Sequence, residues 1–84
     1  MPLVTTKEIL LNAQKNKYAI GAFNVENMEM VMAVVEAAEE LKSPVIMQTT
    51  PSTVKYASLD YFYANAKVAA QNASVPVAIH LDHG

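Results

Sequence analysis

The 84-residue chain contains no cysteine. That excludes a disulfide framework and a thiolate metal site, is compatible with a reducing compartment, and leaves nitrogen and oxygen as the donors for any metal. A basic stripe is missing as well: six basic and eight acidic residues are scattered along the chain, for a formal charge of −2. Nucleic acid or an anionic membrane would need a concentrated positive surface, so neither is an expected partner. No run approaches the roughly 18 apolar residues of a membrane span, and Met1-Pro2-Leu3-Val4-Thr5-Thr6-Lys7-Glu8 lacks the basic start and long apolar segment of a secretory signal. The expectation is a soluble, cytoplasmic protein. Glycine occurs only twice. Gly21 stands alone with no glycine-rich loop after it, which removes a dinucleotide or P-loop phosphate cradle. No Ser-His-Asp or Cys-His set can be assembled, and no lysine falls in a predicted strand, where a Schiff-base lysine would be expected in a barrel.

What is present is a hydrophobic fraction of 52%, enough for a modest core in one unit at most. Thr5-Thr6-Lys7-Glu8 has the spacing of a capping box and predicts a helix to about Lys15. Tyr18 to Asn24 is short, uncharged and free of helical periodicity, as a strand buried on both faces would be. From about Met28 to Leu41 the residues Met30, Val31, Val34, Val35, Ala37, Ala38 and Leu41 cover half a helix, with Glu29, Glu36 and Glu40 opposite. Met28, Met30 and Met32 read as core filler at helical spacing, not as a metal or cofactor box.

Ser43-Pro44 is expected to stop that helix, with Val45 to Thr50 as the second strand and Pro51-Ser52 as a turn. Residues 54–57 leave a short helical turn open. Ser58 is a candidate N-cap for a further helix marked by Leu59, Phe62, Tyr63, Ala66, Ala69, Ala70 and Ala73. Tyr56, Tyr61 and Tyr63 read as packing residues. After Pro76, Val77 to Asp82 forms the third strand.

Strand starts near 19, 45 and 77 match βαβ units of roughly 30 residues. The fold class is α/β: an amino-terminal helix, then three parallel strands with two crossover helices on one face, as in a (β/α)₈ barrel. A doubly wound sheet is the competing arrangement. Three strands cannot close a barrel, because interior side chains would lack partners across the axis.

Alternation along each strand sorts the residues into faces. Ile20, Ala22 and Asn24 share one, as do Ile46, Gln48 and Thr50, and Ala78, His80 and Asp82. Each turns polar towards its carboxyl end. The opposite faces, Ala19, Gly21 and Phe23, then Val45, Met47 and Thr49, then Val77, Ile79 and Leu81, suit packing against helices. The first set is therefore expected to point inward, with Asn24, Thr50 and Asp82 as neighbours around the mouth and His83 where strand becomes loop. A strand-end Asn or Thr also caps helices and stabilises turns, so Asn24 and Thr50 carry a weaker signal. An acid between two imidazoles after an apolar strand is harder to explain structurally, since burying it unpaired would cost several kcal/mol. His80 and His83 face opposite ways on a strand and do not form a chelating pair, and His80 reads as a satisfied interior histidine.

Met1 to Glu8, Tyr18-Ala-Ile-Gly-Ala-Phe-Asn-Val25, Ser43-Pro-Val-Ile46 and above all Pro76-Val-Ala-Ile-His-Leu-Asp-His-Gly84 resemble the amino-terminal part of the class II, zinc-dependent ketose-bisphosphate aldolases. The likeness runs over essentially the whole chain; its last motif is specific and its helical segments are generic. It implies a TIM-barrel lyase that reversibly cleaves fructose 1,6-bisphosphate to dihydroxyacetone phosphate and glyceraldehyde 3-phosphate in glycolysis and gluconeogenesis, with the tagatose bisphosphate enzyme as the alternative. By that likeness Asp82 is the catalytic acid/base, His83 a zinc ligand and Asn24 a substrate residue. Thr50 stands where many members have serine, and keeps the hydroxyl.

Zinc would polarise the ketose oxygens and stabilise the enediolate, while Asp82 exchanges the proton of the C4 hydroxyl. The resemblance further implies dimers or larger assemblies, and a single barrel of about 250 residues or more of which 1–84 is the incomplete first part. Two other readings stay open: a non-catalytic folding or interaction unit that pairs through an exposed strand edge, and another metal-dependent barrel enzyme such as a hydrolase. One motif histidine cannot hold catalytic zinc, for which three protein ligands are usual. The 84 residues alone are therefore expected to leave fructose 1,6-bisphosphate intact, and turnover by the purified chain would overturn that expectation.

Overall fold

Thr5 opens the first helix, its Oγ1 accepting from the backbone N–H of Glu8 at 3.1 Å, as the capping spacing predicts. In the computed structural model, which describes residues 3–50 and 59–81, this helix is α1, Thr6–Asn16. It is followed by β1 (Gly21–Asn24), α2 (Met28–Glu40), β2 (Val45–Thr49), α3 (Leu59–Asn72) and β3 (Val77–Leu81). Asn27 caps α2 by accepting from the Met30 N–H at 2.9 Å. The Pro51-Ser52 turn, the turn at 54–57, Tyr56 and the Ser58 cap lie outside the described residues.

Scarcity of glycine shows at the helix ends. Lys17 and Lys42 take the left-handed conformation, with φ of 58° and 53°. Around them Tyr18 N–H reaches the Ala13 carbonyl at 3.0 Å and Ser43 N–H reaches that of Ala38 at 2.9 Å. These bonds are Schellman closures, in which glycine is the usual occupant because a Cβ is strained there. The first closure also explains why β1 starts at Gly21, two residues later than expected: the chain is still leaving α1. Likewise α2 ends through Lys42, one residue ahead of the expected Ser43-Pro44 stop.

The three strands form one parallel sheet in the order β1-β2-β3. Gly21, Val45 and Val77 are level with one another, and the register continues in step to Asn24, Gln48 and His80. Val45, Met47 and Val77 pack with α2 and α3 in the main core, against Val31, Val35, Ala38, Phe62, Ala66 and Ala70. Small residues at Ala38, Ala66 and Ala70 let the two helices sit close on the same face of the sheet. Glu39 adds a link between α2 and the segment entering β3, its Oε2 accepting from the Ser74 N–H at 2.8 Å. Gly21 makes room for an aromatic ring, since a Cβ there would come within 2.6 Å of Phe23 Cε2.

The other face is covered at one end only. Ile9 of α1 packs with Ile46 and Ala78, flanked by Val4 and Ile20. Leu3 bridges to Val77, and the Val4 N–H donates to the Val77 carbonyl at 2.9 Å, tying the segment before α1 to the start of β3.

Three expectations need correction. β1 is exposed along its length and not buried on both faces, because it is an edge strand paired on one side. Met28, Met30 and Met32 are exposed, not core, because the buried stripe of α2 is Val31, Val35 and Ala38, and alternate positions on a helix point well away from any single stripe. Tyr61 and Tyr63 are also exposed, and Tyr63 carries Lys67 at 5.7 Å from its ring centroid. Among the described residues no helix is long and apolar enough to cross a membrane.

Replacing Lys42 with glycine removes the left-handed strain while keeping the closure. Lys42→Gly is expected to raise stability by about 1 kcal/mol, read as a higher midpoint in urea unfolding. A lower midpoint would contradict this reading of the helix end.

Candidate active site

Two successive rows on the α1 side of the sheet differ in kind. Ala22, Ile46 and Ala78 are level with one another, and one step further along are Asn24, Gln48 and His80. Paired residues of a parallel ladder share a face, and a two-residue step is about 6.6 Å. Over that distance the surface changes from hydrocarbon to two amides and an imidazole. Helix α1 covers Ile46 and Ala78 of the apolar row, and the polar row stands at the carboxyl ends of the strands, where parallel α/β proteins gather their working groups.

Within the polar row, Gln48 Nε2 donates to Asn24 Oδ1 at 2.6 Å. Gln48 is half-buried, while Asn24 and His80 are exposed. Asn24, Gln48 and His80 thus share the face opposite α2 and α3, as strand alternation predicts. Asn24 is level with Gln48, and Thr50 follows the last residue of β2, two positions further on. The reason is register, since β1 closes at Asn24 opposite the fourth residue of β2. Gln48 was the residue missed, although it carried a signal as a polar side chain one step before Thr50 on the same face of the second strand.

His80 also departs from expectation. It is exposed and not an interior group, because α1 covers only the row beneath it. Thr49 and Thr50, adjacent in sequence, divide between the faces. Thr49 is fully buried on the helix side, where its Oγ1 finds no hydrogen-bond partner among the described residues. Thr50 is half-buried beyond the ladder.

Asp82 and His83 lie outside the described residues, directly after Leu81, the last residue of β3. Among the described residues no three His, Cys, Asp or Glu side chains gather as a metal site. The donor chemistry of the chain, imidazole nitrogen and carboxylate or amide oxygen, suits a catalytic zinc more than a structural one, which more often uses thiolate. A cavity of about 340 Å³ opens on the helix side, beside Gly21, Phe23, Val34, Leu41 and Pro44. It lies across the sheet from the polar row, and its lining holds no acid, base or imidazole.

Comparison with known proteins bears on this arrangement. A family model described as fructose-bisphosphate aldolase class-II matches residues 4–84. A fructose-bisphosphate aldolase of Giardia intestinalis is 42% identical over an 85-residue alignment that covers 100% of this chain and 26% of the relative. The crystal structure of the YdjI aldolase from Escherichia coli K12 superposes with a TM-score of 0.90 at 43% identity, over 98% of this chain and 32% of that one. A Coccidioides immitis protein assigned as a fructose-1,6-biphosphate aldolase superposes with a TM-score of 0.86 at 34% identity, over 94% of this chain and 30% of its own. The chain therefore spans about a quarter to a third of the length of these relatives.

Proposed function

This chain belongs to the class II fructose-bisphosphate aldolase family, and on that premise we propose that it supplies the acid/base, one metal ligand and two substrate contacts of a ketose-bisphosphate aldolase. The family match runs through the His80-Leu81-Asp82-His83 motif, and this observation carries the reading. The fold supports it: the three parallel strands and their helices have the architecture of class II aldolases, which are (β/α)₈ barrels. Residues 1–84 would then be the amino-terminal portion of a single barrel domain.

The proposed reaction is the reversible cleavage of fructose 1,6-bisphosphate between C3 and C4. Asp82 takes the proton of the C4 hydroxyl as that carbon becomes the aldehyde of glyceraldehyde 3-phosphate. In condensation it returns the proton to the same oxygen. The alternation observed in β3 puts position 80 on the face of the polar row, and position 82 shares that face wherever the strand period continues. Asn24 offers amide N–H donors to substrate oxygens, and the Thr50 hydroxyl offers a second contact. His83 gives one imidazole nitrogen to zinc, which when bound supplies Lewis acidity towards the ketose oxygens.

This division assigns different losses to different substitutions in the whole enzyme. Asp82→Asn removes the proton carrier and is expected to lower kcat by about 100-fold to 10,000-fold, with bound zinc unchanged by elemental analysis. A kcat near that of the unsubstituted enzyme would remove Asp82 from this role. His83→Ala is expected to purify without stoichiometric zinc, and treatment of the unsubstituted enzyme with EDTA is expected to abolish cleavage until zinc is restored. Full activity in EDTA would exclude the metal-assisted reading.

A further inference from the structure

The mechanism above uses Asn24 but not the side chain bonded to it. Gln48 Nε2 donates to Asn24 Oδ1 at 2.6 Å, joining residues level across β1 and β2. An amide carries its acceptor and its donors on opposite branches, so an Asn24 whose oxygen is held by Gln48 has its two N–H groups turned away from Gln48. We infer that Gln48 is a positioning residue: it locks the Asn24 amide in one of its two orientations, so that Asn24 turns its N–H donors to the ligand. An amide so turned favours acceptor oxygens, such as an oxyanion or a phosphate ester, over hydroxyl hydrogens. The inference rests on the substrate role proposed for Asn24 and adds the residue that orients it.

Three features of the structure make Gln48 suited to the task. It is half-buried between two exposed neighbours and belongs to the central strand, paired on both sides. The register that brings it to Asn24 runs unbroken from Gly21 and Val45. It also sits directly after Met47, which is fully buried, so its backbone is anchored by the main core. A side chain so held loses little further freedom in making the bond, whereas Asn24 alone, exposed at the end of a strand, would sample both amide orientations.

The test compares substitutions at position 48 in the whole enzyme. Gln48→Met keeps the length and removes the donor. Gln48→Glu keeps the shape but presents acceptors alone, which would draw the Asn24 amide round. Expected is a fall in kcat/KM of about 10-fold to 100-fold for Gln48→Met, and a larger fall for Gln48→Glu, with both variants retaining the unfolding midpoint of the unsubstituted enzyme within a few degrees. In an Asn24→Ala background the Gln48→Met change should have almost no further effect, because nothing remains to be oriented.

Gln48→Met with unchanged kcat/KM, Gln48→Glu more active than Gln48→Met, or full additivity with Asn24→Ala would each overturn the positioning role. Unchanged kinetics in Asn24→Ala alone would overturn the substrate role of Asn24 and this inference with it. A separate readout covers failure of the aldolase reading itself. The Gln48 side-chain N–H resonance is expected to move upfield in Asn24→Ala whatever reaction the enzyme performs, and an unmoved resonance would rule out the bond.

Discussion

The register of β2 against its two neighbours is the constraint on which the other features depend. Side chains alternate with a period of two, so a one-residue slip would carry Met47 and Val45 out of the core and bring Ile46 and Gln48 into it. Met47 is fully buried among α2 and α3, whereas Gln48 meets an amide on the opposite face. Burying the Gln48 amide in that hydrocarbon core without a partner would cost several kcal/mol. The slipped arrangement thus loses twice, by exposing apolar surface and by stranding a polar group.

Around that sheet the two faces are finished differently. On one, α2 and α3 bury a stripe of valine and alanine, and their closeness follows from the small residues between them. On the other, α1 covers only the amino-terminal rows, with Ile9 set against Ile46 and Ala78. Partial cover is what separates a structural end from a working end. Beneath α1 the strands carry hydrocarbon, and one step beyond it they carry Asn24, Gln48 and His80. An antiparallel sheet would run alternate strands the other way; here all three are parallel and deliver their carboxyl ends to one edge. That is why residues separated by more than twenty positions in sequence can serve one ligand.

Much of this was legible in the residues. The Thr5 cap, the order of elements, the division of each strand into two faces and the polar turn at each carboxyl end are local properties. Neighbours within a few positions determine them through backbone hydrogen bonding and side-chain periodicity. The family likeness was legible because Pro76 to Gly84 packs a strand start and a chemically unusual strand end into nine positions, and the family match includes that stretch. Less legible were the outward turn of Met28, Met30 and Met32, whose hydrophobicity argues for burial until the partner surfaces are counted, and the lysines that close α1 and α2 where glycine is usual.

By itself, then, the sequence determined which elements form, which side chains share a face, and where the apolar character of each strand gives way to polar groups. Only the tertiary structure decided which residues stand level across strands. Asn24 stands level with Gln48 because pairing joins segments 24 residues apart, and no periodicity within either strand specifies the offset between them. That offset follows from the whole sheet packing at once against α1 on one side and α2 and α3 on the other. Local alternation supplied the face, and long-range packing supplied the partner.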